Sequence, residues 1–247
     1  MRILAIGNSF SQDASRYLHQ AARCSGLNIE VANLMIGGCS LERHYRNMLS
    51  GEKAYSLEYN GSSTGFNVSL TEALLTAHWD VITVQQVSHD APRYETYTPY
   101  ITELAAYIRK CAPKAKLVIH QTWGYEEGSA RLTQELKYQT TAQMLSDVVA
   151  SYRKAAEEIK ADGIIPSGEM MYKLHESGIE KVHRDTFHAS FGVGRYALAL
   201  LWMRMLCGVS VTGNSFLDFD VPVTDEEKKI AWAVVDSFEP IKYEVQM

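Results

Sequence analysis

Five short, β-rich apolar runs punctuate the 247-residue chain, at residues 3–6, 29–34, 81–85, 116–120 and 163–165. Helical patterns separate them. Residues 12–24 carry apolar side chains at Ala14, Tyr17, Leu18, Ala21 and Ala22, and 100–111 repeat the spacing at Ile101, Leu104, Ala105 and Ile108. A long helix is predicted over 130–160, where Leu132, Leu136, Met144, Val148 and Tyr152 fall broadly on one stripe. Strands that alternate with helices pair in parallel through right-handed crossovers. The expectation is therefore an α/β fold: a three-layer α/β/α sandwich on a five-stranded parallel sheet. With 46% hydrophobic residues and no repeat, low-complexity tract or linker, the whole span 1–247 reads as a single domain with one core. Between the second and third runs, residues 51–67 are rich in Gly, Ser and Asn, and Tyr59-Asn60-Gly61 suggests a hairpin turn. This segment reads either as a surface excursion or as a border of the pocket.

Charge and cysteine content narrow the function classes. A net charge of -5 with interspersed signs offers no basic stripe, so nucleic acid is not expected as a partner. No run approaches the roughly 18 apolar residues of a membrane span, and no membrane partner is expected. Residues 1–6 are too short an apolar run for a signal-peptide core and are needed as the first strand. The chain as given reads as cytoplasmic, or as exported if a signal peptide has been removed. Cys24, Cys39, Cys111 and Cys207 lack C-x-x-C spacing, which supports neither a zinc site nor a disulfide framework; no metal or cofactor is expected. The oligomeric state is not legible.

Chemistry in parallel sheets collects at the carboxyl ends of the strands. Ser9 follows the first run in Gly7-Asn8-Ser9-Phe10-Ser11, Gly37 and Gly38 follow the second, Gln85 and Gln86 close the third, and Gln121 to Trp123 follow the fourth. A serine hydroxyl needs a base to remove its proton, and the base needs a third group to hold its tautomer. Asp185 and His188 offer that pair, and a helical turn would put them on one face. Taken alone, D-x-x-H is more often a helix cap beside an ordinary histidine. The oxyanion requires donors: the Ser9 N–H at a strand-to-helix turn, the N–H of Gly38, which lacks a Cβ, and the side-chain amide of Gln86.

These blocks resemble, in order and spacing over nearly the whole chain, those of the SGNH, or GDSL-like, hydrolase superfamily of esterases and lipases. Gly7-Asn8-Ser9-Phe10 stands where that family has G-D-S-L, Gly38 at the glycine of its second block, and Asp185 with His188 at its terminal D-x-x-H. The resemblance implies a flavodoxin-like SGNH hydrolase fold, with Ser9 as nucleophile, His188 as base and then acid, and Asp185 as its orienter. It also implies Ser9 and Gly38 as backbone oxyanion donors. The third block departs from the family's G-x-N-D. Gln86 with Asp90 is similar to the Q-G-E-S-D type segment of sialate and xylan acetylesterase-like branches, so the side-chain oxyanion role passes to Gln86, then His89, then Gln85. Asn8 also departs from the family's aspartate, although its amide can brace the turn.

Trp123, His89 and Glu169 are candidate substrate-binding residues. Trp123 reads about equally well as core, and Glu169 as a helix cap. His44 and Arg43 read as a solvated helix face, and Cys39 as packing before nucleophile. The function expected is a serine esterase acting on short-chain acyl esters such as acetyl, on a small molecule or carbohydrate. The alternative is a non-catalytic carbohydrate-binding protein that keeps the fold.

Overall fold

A computed structural model describes residues 1–242. The five apolar runs form β1 (Arg2–Gly7), β2 (Glu30–Met35), β5 (Val81–Val84), β6 (Lys116–His120) and β7 (Gly163–Ile165). All five pair in parallel, in the order β2-β1-β5-β6-β7. The sheet is nevertheless seven-stranded and mixed, which corrects the expected five-stranded parallel sheet. Strands β3 (Tyr55–Tyr59) and β4 (Ser62–Val68) form a hairpin that adds antiparallel to β2. Asn60 and Gly61 make its turn, both at positive φ, as type I′ geometry requires. The two strands escape a hydrophobic reading because β4 is largely solvent-exposed and β3 buries only Tyr55 and Glu58.

Helices α1 (Ser9–Ser15), α2 (Leu18–Cys24), α7 (Ser167–Glu176), α8 (Val193–Cys207) and α9 (Asp225–Asp236) pack among themselves. A second set, α3 (Leu41–Ser50), α4 (Leu70–Thr76), α5 (Tyr100–Cys111) and α6 (Thr141–Ile159), does the same. Helix α8 has apolar residues all round and is buried on nearly every side, because α1, α2, α7 and α9 surround it. The single helix expected over 130–160 is broken. A wide turn covers Arg131–Glu135, Lys137 takes a positive φ, and α6 starts only where the Thr140 hydroxyl accepts from the Gln143 N–H. The 12–24 pattern is likewise split into α1 and α2 around Arg16 and Tyr17. No helix among the described residues is long and apolar enough to cross a membrane.

Candidate active site

The turn that carries Ser9 is built from buried polar contacts. Asn8 caps α1: its Oδ1 accepts from the Phe10 N–H at 3.0 Å, and its Nδ2 donates to the Cys39 carbonyl at 3.1 Å. One amide thus joins the turn after β1 to the turn after β2. In that second turn Gly38 sits at φ +61°, a conformation open to residues without a Cβ, and Cys39 N–H closes on the Ile36 carbonyl at 3.1 Å. The N–H groups of Ser9 and Gly38 have no acceptor among the described residues.

Beneath this turn runs a directional hydrogen-bond chain. Gln85 Nε2 donates to Asn8 Oδ1 at 2.8 Å, and Gln85 Oε1 pairs with His120 Nδ1 at 2.8 Å. An amide oxygen only accepts, so His120 donates from Nδ1, leaving Nε2 to accept from the Ser167 hydroxyl at 3.1 Å. Burial pushes His120 down to about 3, so the ring is neutral and keeps that tautomer. A Cβ on residue 7 would lie 2.4 Å from Ser11 Oγ and 2.9 Å from Gln85 Oε1, so only glycine lets β1 pass this close to the network.

The other half of the site is a short loop between antiparallel contacts. His183 bridges Ala189, Arg184 N–H donates to the His188 carbonyl at 3.0 Å, and Ser190 N–H to the Val182 carbonyl at 2.8 Å. Asp185 and His188 therefore lie in a turn and not on the helix expected from their spacing, since α8 starts only at Val193. Asp185 Oδ1 accepts from the His188 N–H at 2.9 Å, and Oδ2 accepts from His188 Nδ1 at 2.8 Å. His188 Nε2 lies 2.8 Å from Ser9 Oγ. Partial burial raises the Asp185 carboxyl, but the hydrogen bonds and charge of His188 outweigh it and hold the group below the usual carboxylate range. Thr186, between them, takes φ +78°, which is strained for a β-branched residue. The carbonyl of Thr186 accepts from the Glu126 N–H and that of Phe187 from Trp123 Nε1, both at 2.7 Å. The Phe187 ring centroid is 3.9 Å from that of His188.

The structure brings Ser9, His188, Asp185 and the Gly38 turn together; Gln86 is committed elsewhere, Trp123 and Glu169 take the core and helix-start places also read for them, and His89 lies at the surface. Gln86 is buried; its Nε2 donates to Thr96 O at 3.0 Å and Thr96 Oγ1 at 3.1 Å. Its Oε1 accepts from the N–H groups of Leu41 and Val87, both at 2.9 Å. Both amide hydrogens are committed, so Gln86 ties the start of α3 to the β5–α5 connection and offers no oxyanion donor. Trp123 is covered: Phe10 stacks on it at 4.0 Å, so it backs the turn that carries Ser9 and presents no open face to a sugar. His89 is exposed, with Asp90 3.9 Å away, and Glu169, in the first turn of α7, takes Gln121 Nε2 at 3.3 Å and faces Arg153 at 3.7 Å. His44 is also buried, stacked on Tyr55 and bonded to its hydroxyl, where a solvated face was expected. The polar chain through Gln85, His120 and Ser167 went unread because its members are far apart in sequence and share no motif. A cavity of about 480 Å³ lined by Trp123, Gly124, Thr141, Met171, Val182 and His183 does not include Ser9 or His188.

Sheet order, the serine at the end of β1 and the aspartate–histidine loop after β7 define the SGNH/GDSL-like fold. An acetylxylan esterase from Geobacillus stearothermophilus superposes with a TM-score of 0.52 at 14% identity, over 82% of this chain and 92% of that one. A member of the lipolytic G-D-S-L family from Veillonella parvula DSM 2008 does so with a TM-score of 0.52 at 16% identity, over 85% and 100%. The chain belongs to the DUF4886 family, described as a domain of unknown function, which it matches over residues 2–234. A DUF4886 family protein from Bacteroides uniformis ATCC 8492 is 33% identical, with a TM-score of 0.89 over 96% of this chain and 93% of that one. No curated protein matches the sequence.

Proposed function

We propose that this protein is a serine esterase that hydrolyses short acyl esters, such as acetyl groups on a carbohydrate, through an acyl-Ser9 intermediate. The observation that carries the reading is the Ser9–His188–Asp185 hydrogen-bond relay beside two backbone N–H groups without an acceptor among the described residues. Asp185 Oδ2 holds the Nδ1–H tautomer, which leaves the His188 Nε2 lone pair aimed at the serine hydroxyl. As Ser9 Oγ bonds to the ester carbon, its proton passes to Nε2 and negative charge develops on the carbonyl oxygen. The N–H groups of Ser9 and Gly38 would receive that charge. Collapse breaks the bond to the alcohol, which leaves with the proton from Nε2. Water then attacks the acyl-serine by the same route, with His188 again taking and returning a proton. The acetyl and carbohydrate parts of the reading rest on the likeness to an acetylxylan esterase and are the finer part of the proposal.

Cys39 is not a competing nucleophile in this reading: it is fully buried, and burial pushes its thiol up to about 12, leaving it protonated. The test is covalent labelling with a fluorophosphonate, located by mass spectrometry, alongside turnover of p-nitrophenyl acetate and a panel of acetylated sugars. Adduct at Ser9, and turnover lost in Ser9→Ala, are expected. A folded protein that neither labels nor turns over any ester, yet binds sugars, would establish the non-catalytic carbohydrate-binding alternative.

A further inference from the structure

Resting on the esterase reading, we infer that Asp13 and Arg184 are positioning residues that dock the histidine–aspartate loop onto the nucleophile helix and so set the Ser9–His188 distance. Asp13 lies four residues after Ser9 on α1, about one turn away. Its carboxylate is fully buried, and both oxygens accept from Arg184 NH1 at 2.9 Å. Oδ2 also accepts from the Ala189 N–H at 3.2 Å, and Arg184 NH1 donates to the Ala189 carbonyl at 2.5 Å. Arg184 and Ala189 are the residues immediately flanking Asp185 to His188. One carboxylate therefore grips both ends of the loop from the helix that begins at Ser9.

The division of labour is local against long-range. Asp185 and His188 are joined by two hydrogen bonds within their own turn, so that pair stays assembled wherever the loop lies. The 2.8 Å contact to Ser9 spans 179 residues of sequence. Of the contacts between loop and α1, the charged ones all pass through Asp13. A third guanidinium contact, Arg195 Nε to Asp13 Oδ1 at 2.9 Å, ties Asp13 to α8, and Arg195 NH1 also donates to Asp220 at 2.7 Å. Arg184 and Arg195 thus share one acceptor but serve different elements, which allows a discriminating experiment.

Arg184→Lys, Arg195→Gln and Asp13→Asn are compared with the intact protein for kcat, KM, melting temperature and the rate of fluorophosphonate labelling. A misplacement of about 1 Å can cost roughly 10²-fold in rate. Arg184→Lys and Asp13→Asn should therefore lose about 10- to 100-fold in kcat and in labelling rate with KM nearly unchanged. Arg195→Gln should lower the melting temperature at least as much as Arg184→Lys, with a kcat loss under about threefold. If Asp13→Asn does not fold, the two arginine variants decide. Equal kcat losses from Arg184→Lys and Arg195→Gln, or wild-type labelling rates in folded Arg184→Lys, overturn the inference while leaving the esterase reading intact. Absence of Ser9 labelling in the unsubstituted protein overturns the esterase reading itself, and the inference with it.

Discussion

The two halves of the candidate site are built by opposite means. The Ser9 turn is embedded: it grows from a buried strand, and Asn8, Gln85, His120 and Ser167 support it in an unbroken hydrogen-bond chain across the carboxyl ends of four strands. The Asp185–His188 loop lies at the surface, with nearly half of the Asp185 side chain exposed, strain at Thr186, and anchorage through Asp13 and two backbone carbonyls. A polar network inside the sheet is costly to break, because its members cannot recover hydrogen bonds to water. A strained surface loop held at its ends can be altered without unfolding the domain. The network beneath the Ser9 turn should thus respond to substitution chiefly through stability, and the loop half chiefly through rate.

The largest expected effect tests the loop half. Asp185→Asn should lower kcat on the order of 10⁴-fold, because the amide favours the wrong imidazole tautomer, while the melting temperature changes by no more than a few degrees. Turnover of p-nitrophenyl acetate together with calorimetry reads both. A large loss of stability with little loss of rate per folded molecule would erase the contrast.

Gln86→Ala tests the embedded half. It strands the N–H groups of Leu41 and Val87, at about 1–3 kcal/mol for each buried donor left unpaired. Urea unfolding should show that loss, while kcat per active site, counted by fluorophosphonate titration, stays within a few-fold of the parent. A 10²-fold fall in kcat with unchanged stability would instead return Gln86 to the oxyanion.

The same contrast has a pH signature. His120, under the Ser9 turn, is pushed by burial to about 3, as is His44 near the Gly38 turn. Both lie below the ordinary value of about 6.5 of the unfolded chain. Between those values the unfolded state binds protons that the folded state refuses, so stability is fully present above about 6.5 and is lost as pH falls towards 3. Each histidine contributes about 1.4 kcal/mol per pH unit within that window. Urea unfolding at pH 7, 6 and 5 should show His120→Asn with a slope one proton shallower than the parent. An unchanged slope would mean that His120 is already protonated or reached by water.

The smallest effect is expected at Thr186. Glycine at φ +78° relieves the β-branched strain, so Thr186→Gly should change stability by about 1 kcal/mol or less, in the stabilising direction, and lower kcat a few-fold as the loop gains freedom. Destabilisation by several kcal/mol would show that the threonine side chain, and not the backbone, holds the loop.

Much of the fold was legible because a buried parallel strand needs an unbroken apolar run, and five such runs are in the chain. The turn of the β3–β4 hairpin was legible at Asn60-Gly61, but its two strands were not, since strands that largely face water need few apolar side chains. The break at Lys137 was hidden because apolar spacing on both sides of it continues one stripe. In the site, Ser9 and the D-x-x-H step stand out as local motifs, and Asn8 beside them reads as a turn brace. Gln86 was misread because its chemistry, an amide at a strand end, is the same whether it meets an oxyanion or the backbone of neighbouring segments.

Sequence by itself determined the parallel frame, the end of the sheet at which chemistry collects and the residue types placed there, because these follow from periodicity and from short-range spacing. The tertiary structure alone decided which amides are spent and which N–H groups stay free, and which acid grips the loop. Asp13 looks like any polar residue on a helix until Arg184, 171 residues later, folds against it. A hydrogen bond is satisfied by whichever partner the fold brings within about 3 Å, and that proximity is a property of the packed chain, not of any window along it.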